Sequence, residues 1–247
     1  MMDTTSGPAQ YLVKLRKRTE VAERTTAFAF EKPANFVFKA GQFLEFTLTS
    51  PPETDSEGDS RAFSIASAPH EEMLMVATRM RDTAFKRVLG GMPLGAQAKV
   101  EGPFGDLVLH NNQARAAVFL AGGIGITPFR SMVVRAAKEQ LPHHLFLFYS
   151  NRRPEDAPFL EELKSLERGN PNFKFVGTMT DMARSGRSWD GETGYLDHEM
   201  LSRYLKGAAS PIYYIAGPPA MVTALRDVLN HAGVDDDDIR MEEFAGY

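Results

Sequence analysis

The sequence predicts a β + α/β chain, with an antiparallel β-barrel in the N-terminal half and a parallel sheet covered by helices in the C-terminal half. Three observations carry this expectation. Up to about residue 112, short strand-like runs follow one another, separated by Gly, Pro, Asn and Asp. Beyond that point, fully apolar runs alternate with amphipathic stretches of helical period. The 247 residues, 43% of them hydrophobic, are enough for two modest cores.

In the first half the expected strands are 10–18, 25–31, 43–48, 61–67, 73–79, 97–102 and 106–109, a density that suits a small barrel. One short helix is expected over Thr83–Leu89, and the polar segment Pro51–Ser60 reads as an exposed loop. In the second half the apolar runs Ala116–Ala121, Leu145–Tyr149, Phe173–Thr178 and Ile212–Ala216 alternate with helical stretches 127–139, 158–167 and 218–231. Apolar strands between amphipathic helices mean a parallel sheet buried on both faces. Only Asn111–Arg115 separates the halves, so units 1–112 and 113–247 are expected to sit directly against each other, with a ligand cleft between them. The four acids Asp235–Asp238 read as a solvated turn before a last strand, not as a metal site.

Composition excludes several chemistries. The chain has no cysteine, which removes disulfides, thiolate zinc, cysteine-held iron–sulfur clusters, c-type haem and cysteine nucleophiles. The six histidines are scattered without metal-ligand spacing, so no metal is expected. Twenty-eight basic against 32 acidic residues leave a net charge of −4, and no nucleic-acid partner is expected. The start has neither a basic nor an apolar leader region and no run approaches a membrane span, so a cytoplasmic location is expected.

The strongest local motif is Val118–Pro128, in which an apolar strand is followed by Gly122-Gly123-Ile124-Gly125 and a helix with Pro128 just inside it. Glycines let a ligand approach the backbone, and the N-terminus of a helix attracts a pyrophosphate through free N–H groups and its dipole. The third glycine of the full dinucleotide fingerprint is missing, and a tight turn that binds nothing has the same pattern. A second such turn, Gly217-Pro218-Pro219, follows another apolar strand. In the first half, Arg61-Ala62-Phe63-Ser64 offers a guanidinium for a phosphate, a ring for a flat heterocycle and a hydroxyl for a polar ring edge. An edge strand with a surface arginine is the alternative. Thr83 opens a helix after Thr78-Arg79-Met80-Arg81, as an anion site or as a plain N-cap.

These motifs, with Gly102-Pro103-Phe104-Gly105 and the terminal Glu242-Glu243-Phe244-Ala245-Gly246-Tyr247, occur in the order seen in the ferredoxin–NADP reductase superfamily, and the resemblance spans nearly the whole chain. It implies an FAD-binding barrel followed by a nicotinamide-nucleotide domain. By this resemblance Arg61 would hold the FAD pyrophosphate, Ala62 would lie beside it, Phe63 would pack on the flavin or ribityl side and Ser64 would approach flavin N5. The family usually has Tyr at position 63. Thr78, Arg79, Met80 and Thr83 would complete the FAD cradle. Gly122, Gly123 and Gly125 would underlie the NAD(P) pyrophosphate, Thr127 would face the nicotinamide, and Gly217, Pro218 and Met221 would form the far wall. Ala216 stands where many relatives have a hydride-orienting cysteine. Phe244 or Tyr247 would cover the flavin face, unless they are core residues of the last strand.

The resemblance implies an FAD-dependent NAD(P)H reductase passing electrons to a protein acceptor that the motifs do not name. The alternatives are an electron-transfer subunit of a larger complex without independent turnover, and an FAD-free nucleotide sensor. For the nucleotide, Asp181 after the strand Lys174–Thr178 would accept from both ribose hydroxyls and repel a 2′-phosphate, which favours NADH over NADPH. Asn151, Arg152 and Arg153 after the preceding strand, and Arg184-Ser185-Gly186-Arg187, argue the other way. Arg152 resembles an arginine shared by NADH and NADPH users, and residues 184–187 read as a mobile Gly/Ser loop.

Overall fold

A computed structural model describes residues 9–244. Two six-stranded sheets carry the chain. In the first, β1 (Gln10–Ala22), β2 (Thr25–Glu31), β3 (Phe43–Leu48), β4 (Ser60–Ser64), β5 (Met73–Arg79) and β6 (Gln97–Phe104) pair antiparallel in the order β4-β3-β6-β1-β2-β5. Alternation points Leu44, Phe46 and Phe63 inward, where they meet Phe28, Phe30 and Phe85 of α1 (Ala84–Gly91). Burial of each such ring contributes roughly 1.5–3 kcal/mol, and the tilted and edge-on ring pairs add to it. The two end strands approach each other where the Ala66 N–H donates to the Met75 carbonyl (2.8 Å), so the sheet curls toward a barrel.

The second sheet comprises β7 (Ala117–Gly122), β8 (Leu145–Asn151), β9 (Phe173–Met179), β10 (Glu192–Thr193), β11 (Ile212–Gly217) and β12 (Ile239–Glu243), all parallel, in the order β10-β9-β8-β7-β11-β12. Every residue of β7 and β11 is buried, which is why their sequences are unbroken apolar runs. One face packs on α2 (Ile126–Glu139) and α3 (Leu160–Gly169) through Phe129, Met132, Val133 and Leu163. The other packs on α4 (His198–Tyr204) and α5 (Pro219–His231) through Leu201, Val222, Leu225 and Leu229. No described helix is long and apolar enough to cross a membrane.

Several local expectations need correction. The strand expected over 61–67 stops at Ser64, because Ile65, Ala66, Ser67 and Ala68 are all buried and the in–out alternation ends there. Residues 106–109 form no strand, and β1 continues to Ala22 across two irregularities of its register. The two-residue β10 and the seven-residue α4, capped by the Asp197 carboxylate on the Met200 N–H (2.8 Å), were too short to show a period. The acids 235–238 do form a turn, with Asp236 on Arg226 and Asp238 on Arg115. Among the described residues no group of three His, Asp or Glu side chains could hold a metal.

The histidines are not all scattered. Where the connecting segment meets the parallel sheet, His110 and His143 pack edge-on, their ring centroids 5.2 Å apart. The Tyr214 hydroxyl accepts the His110 backbone N–H (2.9 Å); His110 Nε2 faces the Arg115 carbonyl (3.2 Å) and must donate to it, so in the neutral ring Nδ1 accepts the Tyr214 O–H (2.9 Å). His143 Nε2–H donates to the His110 carbonyl (2.9 Å). This network ties the connecting segment to the sheet in its neutral form.

Burial holds the His110 imidazole below its ordinary pKa. The unfolded chain therefore takes up the proton first, at about pH 6.5, and stability present above that pH is lost as pH falls toward the folded value. His110→Gln is expected to lower stability by about 1–3 kcal/mol at pH 7.5 in urea titrations, and to lose less than the parent between pH 7 and pH 5.

Candidate functional site

The carboxyl edge of the parallel sheet brings the two glycine turns into contact, because β7 and β11 are neighbours. A Cβ on Gly125 would overlap the Ala216 carbonyl, one on Gly122 would overlap the Met221 sulfur, and one on Gly217 would crowd the Gly122 amide at 3.2 Å. These glycines let the turns touch. Gly123 differs, with φ +53° and open space where a Cβ would stand, so it presents bare backbone outward. Its carbonyl accepts from the hydroxyl of fully buried Tyr149 (3.0 Å), a residue the motifs did not reveal. Thr127 opens α2 with its hydroxyl donating to the Ile124 carbonyl (3.0 Å), and is itself buried. At the end of β8, the side-chain amide of buried Asn151 makes no hydrogen bond of good geometry, the Tyr149 hydroxyl being its polar neighbour. A buried amide with neither end well bonded beside an open backbone turn fits a polar ligand such as a nucleotide.

In the first half, Thr83 caps α1 by accepting from the Lys86 N–H (3.4 Å), and Arg61 lies over the Phe85 ring at 4.9 Å. Half-buried Lys86 is pushed down to about 8, first by burial and then by the charges of Arg81, Arg61 and Arg79. Three arginines close enough to depress a lysine, together with that lysine, suit a diphosphate, so the donor set fits the FAD pyrophosphate. Lys86 escaped the sequence reading, although it stands three residues after the cap.

That cationic cluster is met by the protein's own acids. Arg61 donates to the Glu57 carboxylate (2.8 Å), to Asp55 (3.4 Å) and to the Glu57, Gly58 and Ser60 carbonyls. Arg87 grips Glu53 through two hydrogen bonds (2.9 and 2.6 Å). The segment 51–60 is exposed as expected, yet it is tied down over α1.

Phe63 corrects an expectation. It shares the inward face of β4 with Arg61, and its ring lies between Phe46 and Phe85 in the core, 4% exposed, instead of presenting a surface for flavin. Ser64 lies on the opposite face, paired with Phe43, and Ala62 is exposed beside them. Thr78 is buried near the end of β5, Arg79 reaches within 4.0 Å of Asp156 in the other half, and the Met80 N–H donates to the Arg24 carbonyl (2.7 Å).

Beyond β8 and β9 the arginines differ in availability. Arg153 is bound to Asp156 (2.9 Å) and to Glu23, whereas Arg152 is exposed. Residues 185–187 are not an unattached loop. Their Ser185 hydroxyl (2.9 Å) and the Gly186 (2.8 Å) and Arg187 (3.1 Å) N–H groups converge on the Glu155 carboxylate, which its own amide first, and then Ser185 and Gly186, hold below the usual range. Asp181 stands at the end of the next strand with Arg184 at 3.6 Å, its N–H donating to the Arg152 carbonyl (2.8 Å).

At the second turn Pro218 is exposed and Met221 packs under Gly122. The Phe244 N–H donates to the Gly217 carbonyl (2.9 Å), and its ring packs at the margin of the core shared with α2. Tyr247 lies outside the described residues. The Glu242 carboxyl, which belongs to the quoted terminal motif but was given no role in it, is pushed up to about 7 by burial and by Asp106.

The oxidoreductase NAD-binding domain family matches residues 119–227. A ferredoxin–NADP reductase B of Sorangium cellulosum is 31% identical over 201 residues, covering 78% of this chain and 79% of that protein. The chain belongs to the ferredoxin–NADP reductase superfamily. It is accordingly an FAD-dependent NAD(P)H oxidoreductase. It is also 29% identical over 204 residues, 75% of its own length, to one subunit of the Na(+)-translocating NADH-quinone reductase of Methylococcus capsulatus, of which it spans about half, 49%. The same fold is found in the Amycolatopsis cytochrome P450 reductase GcoB, with TM-score 0.79, 19% identity and coverage of 96% of this chain and 71% of that one. It recurs in a Neisseria gonorrhoeae ferredoxin NADP+ reductase with bound FAD and NADP, with TM-score 0.76, 23% identity and coverage of 95% and 98%.

In this superfamily member the charge on Lys86 favours a phosphate, so FAD affinity is expected to weaken as pH rises through and above about 8. Flavin fluorescence quenching checks this, with Lys86→Met flattening the pH dependence. The double variant Asp55→Asn, Glu57→Gln is expected to bind FAD several-fold more tightly, since a phosphate then displaces no carboxylate from Arg61.

Proposed function

We propose that residues 1–112 hold FAD and residues 113–247 hold NADH, and that the protein passes electrons from NADH through flavin to a separate protein acceptor. The observation that carries this reading is the carboxyl edge of the parallel sheet, where bare Gly123 backbone and the poorly bonded Asn151 amide lie together. Flavin, when bound, supplies the hydride-accepting chemistry. Arg61, Lys86 and the Thr83 helix start bind its diphosphate, while Ser64 and Thr127 orient the two reacting rings. Gly122, Gly123, Gly125 and Gly217 bring the nucleotide close to backbone, and the aromatic of Phe244 or Tyr247 would cover the flavin.

NADH is favoured over NADPH because acids occupy the places a 2′-phosphate needs. Asp181 follows β9, and Glu155 fills the donors of 185–187. A component of a larger complex without turnover of its own is the second reading, supported by the likeness to one subunit of a Na(+)-translocating NADH-quinone reductase.

The protein is expected to purify yellow, and Arg61→Ala to weaken FAD by about 1.5–3 kcal/mol in equilibrium titrations. Steady-state kinetics should give a higher kcat/KM with NADH, a preference that Asp181→Ala erodes. A clear preference for NADPH that Asp181→Ala leaves untouched would show that the arginines read the ribose. An acceptor screen separates the two readings of function, since a component without turnover of its own reduces no soluble carrier.

A further inference from the structure

Arg130 lies on the second turn of α2, is 4% exposed, and has no part in the motifs described above. Its guanidinium carries five N–H donors, and all five are met. Nη1 donates to the Ala66 carbonyl (2.7 Å) and to Glu71 Oε2 (2.9 Å). Nη2 donates to Glu71 Oε1 (3.2 Å) and Glu162 Oε1 (2.6 Å), and Nε donates to Glu162 Oε2 (2.9 Å). The plane lies over the Phe159 ring at 5.1 Å. The next residue, Ser131, donates from its hydroxyl to the Ser67 carbonyl (2.6 Å), and Glu71 in turn accepts the Ala68 N–H (2.6 Å).

These contacts join two specific places. Ala66 to Ala68 lie two to four residues after Ser64, where β4 ends. Arg130 follows Thr127 by three residues, a little under one helical turn. The helix that begins at the nucleotide turn therefore grips, one turn later, the backbone that has just delivered Ser64. Burial tends to raise the Glu71 carboxyl, but the hydrogen bond and charge of Arg130 hold it below its ordinary value, so the fork stays ionised.

We propose that Arg130 is the positioning residue that sets the spacing between the nicotinamide and flavin sites, by locking the segment after Ser64 to the helix that starts at Thr127. The inference rests on the reading of Ser64 and Thr127 given under the proposed function. Hydride transfer is steep in donor–acceptor distance, and a displacement of about 1 Å costs up to about 100-fold in rate. Lysine cannot replace the fork, because it is a point charge with three donors on a flexible stem.

The test uses the FAD-loaded protein and the variants Arg130→Met, Arg130→Lys and Ser131→Ala. Single-turnover reduction by NADH, followed at the flavin absorbance, separates the limiting rate from half-saturation. The long-wavelength charge-transfer absorbance of the paired rings reports their stacking, and flavin fluorescence quenching reports FAD affinity. The expected result for Arg130→Met is a limiting rate about 10- to 100-fold lower and a diminished charge-transfer band, with half-saturation and FAD affinity changed less than about threefold. Arg130→Lys should not rescue the band. Should Arg130→Met fail to retain FAD, Ser131→Ala decides the matter, with a smaller loss in the same two quantities. Unchanged rate and band in the FAD-loaded variants overturn the proposal even if their melting temperatures fall, as does full rescue by lysine. A parent protein that neither NADH nor NADPH reduces overturns the functional reading and the proposal together.

Discussion

A guanidinium can be taken out of water only if each of its N–H groups finds an acceptor, and Arg130 meets that requirement with groups from separate parts of the chain. Glu71 and the Ala66 carbonyl come from the loop between β4 and β5, Glu162 from α3. Satisfying all of them at once leaves little latitude in how the antiparallel half sits against α2. The other contacts agree with that one arrangement. Glu23, at the turn of the first hairpin, binds Arg153 and donates its N–H to the Glu155 carbonyl, while Arg79 faces Asp156. On the connecting segment, His110 is held between Tyr214 and the Arg115 carbonyl. The seat of the antiparallel half against α2 is thus set by polar partners, deeply buried at Arg130 though not at Arg79 or Arg153, together with apolar contacts in which Ala27, Ala40 and Ala77 join the core around Phe129 and Met132.

The electrostatics of the candidate site follow one pattern. Groups suited to a phosphate are present in both halves, and acids of the same chain occupy part of them. Asp55 and Glu57 bind Arg61, Asp156 and Glu23 bind Arg153, and Glu155 occupies the hydroxyl and amides of residues 185–187. On exposed surface such pairs are individually weak, so they compete poorly against a dianionic ligand where the surrounding charge favours it. Around Arg61 the neighbouring Arg79, Arg81 and Lys86 supply that charge. Around Ser185 the donors are already taken by Glu155, and Asp181 is paired with Arg184.

Much of the fold was legible because the signals are local. Strand alternation, unbroken apolar runs and helical periods depend on neighbouring residues, and the two sheets appear where those periods change. The glycine turns were legible for the same reason, since Gly122, Gly125 and Gly217 stand where two backbones must touch and Gly123 where φ is positive. Short elements escaped, β10 and α4 among them, because two or seven residues establish no period. Phe63 misled for a physical reason. The motif order placed it beside Arg61 and Ser64, but the alternation of β4 turns its ring into the core with Phe46 and Phe85.

Several of the residues missed share one property. Arg130, Tyr149 and Glu242 owe their character to partners remote in the chain, as when Arg130 reaches Ala66 across 64 positions. By itself the sequence determined the fold class, the membership of the superfamily, the two turns at the sheet edge and the absence of any cysteine chemistry, since each is a matter of residue type, order and spacing. Only the tertiary structure decided which cations are already paired, which amide at the end of β8 lacks a well-formed hydrogen bond and which arginines join the halves. Those outcomes turn on separations of about 3 Å between atoms, the range within which hydrogen bonds and ion pairs act, and chain order does not set such distances.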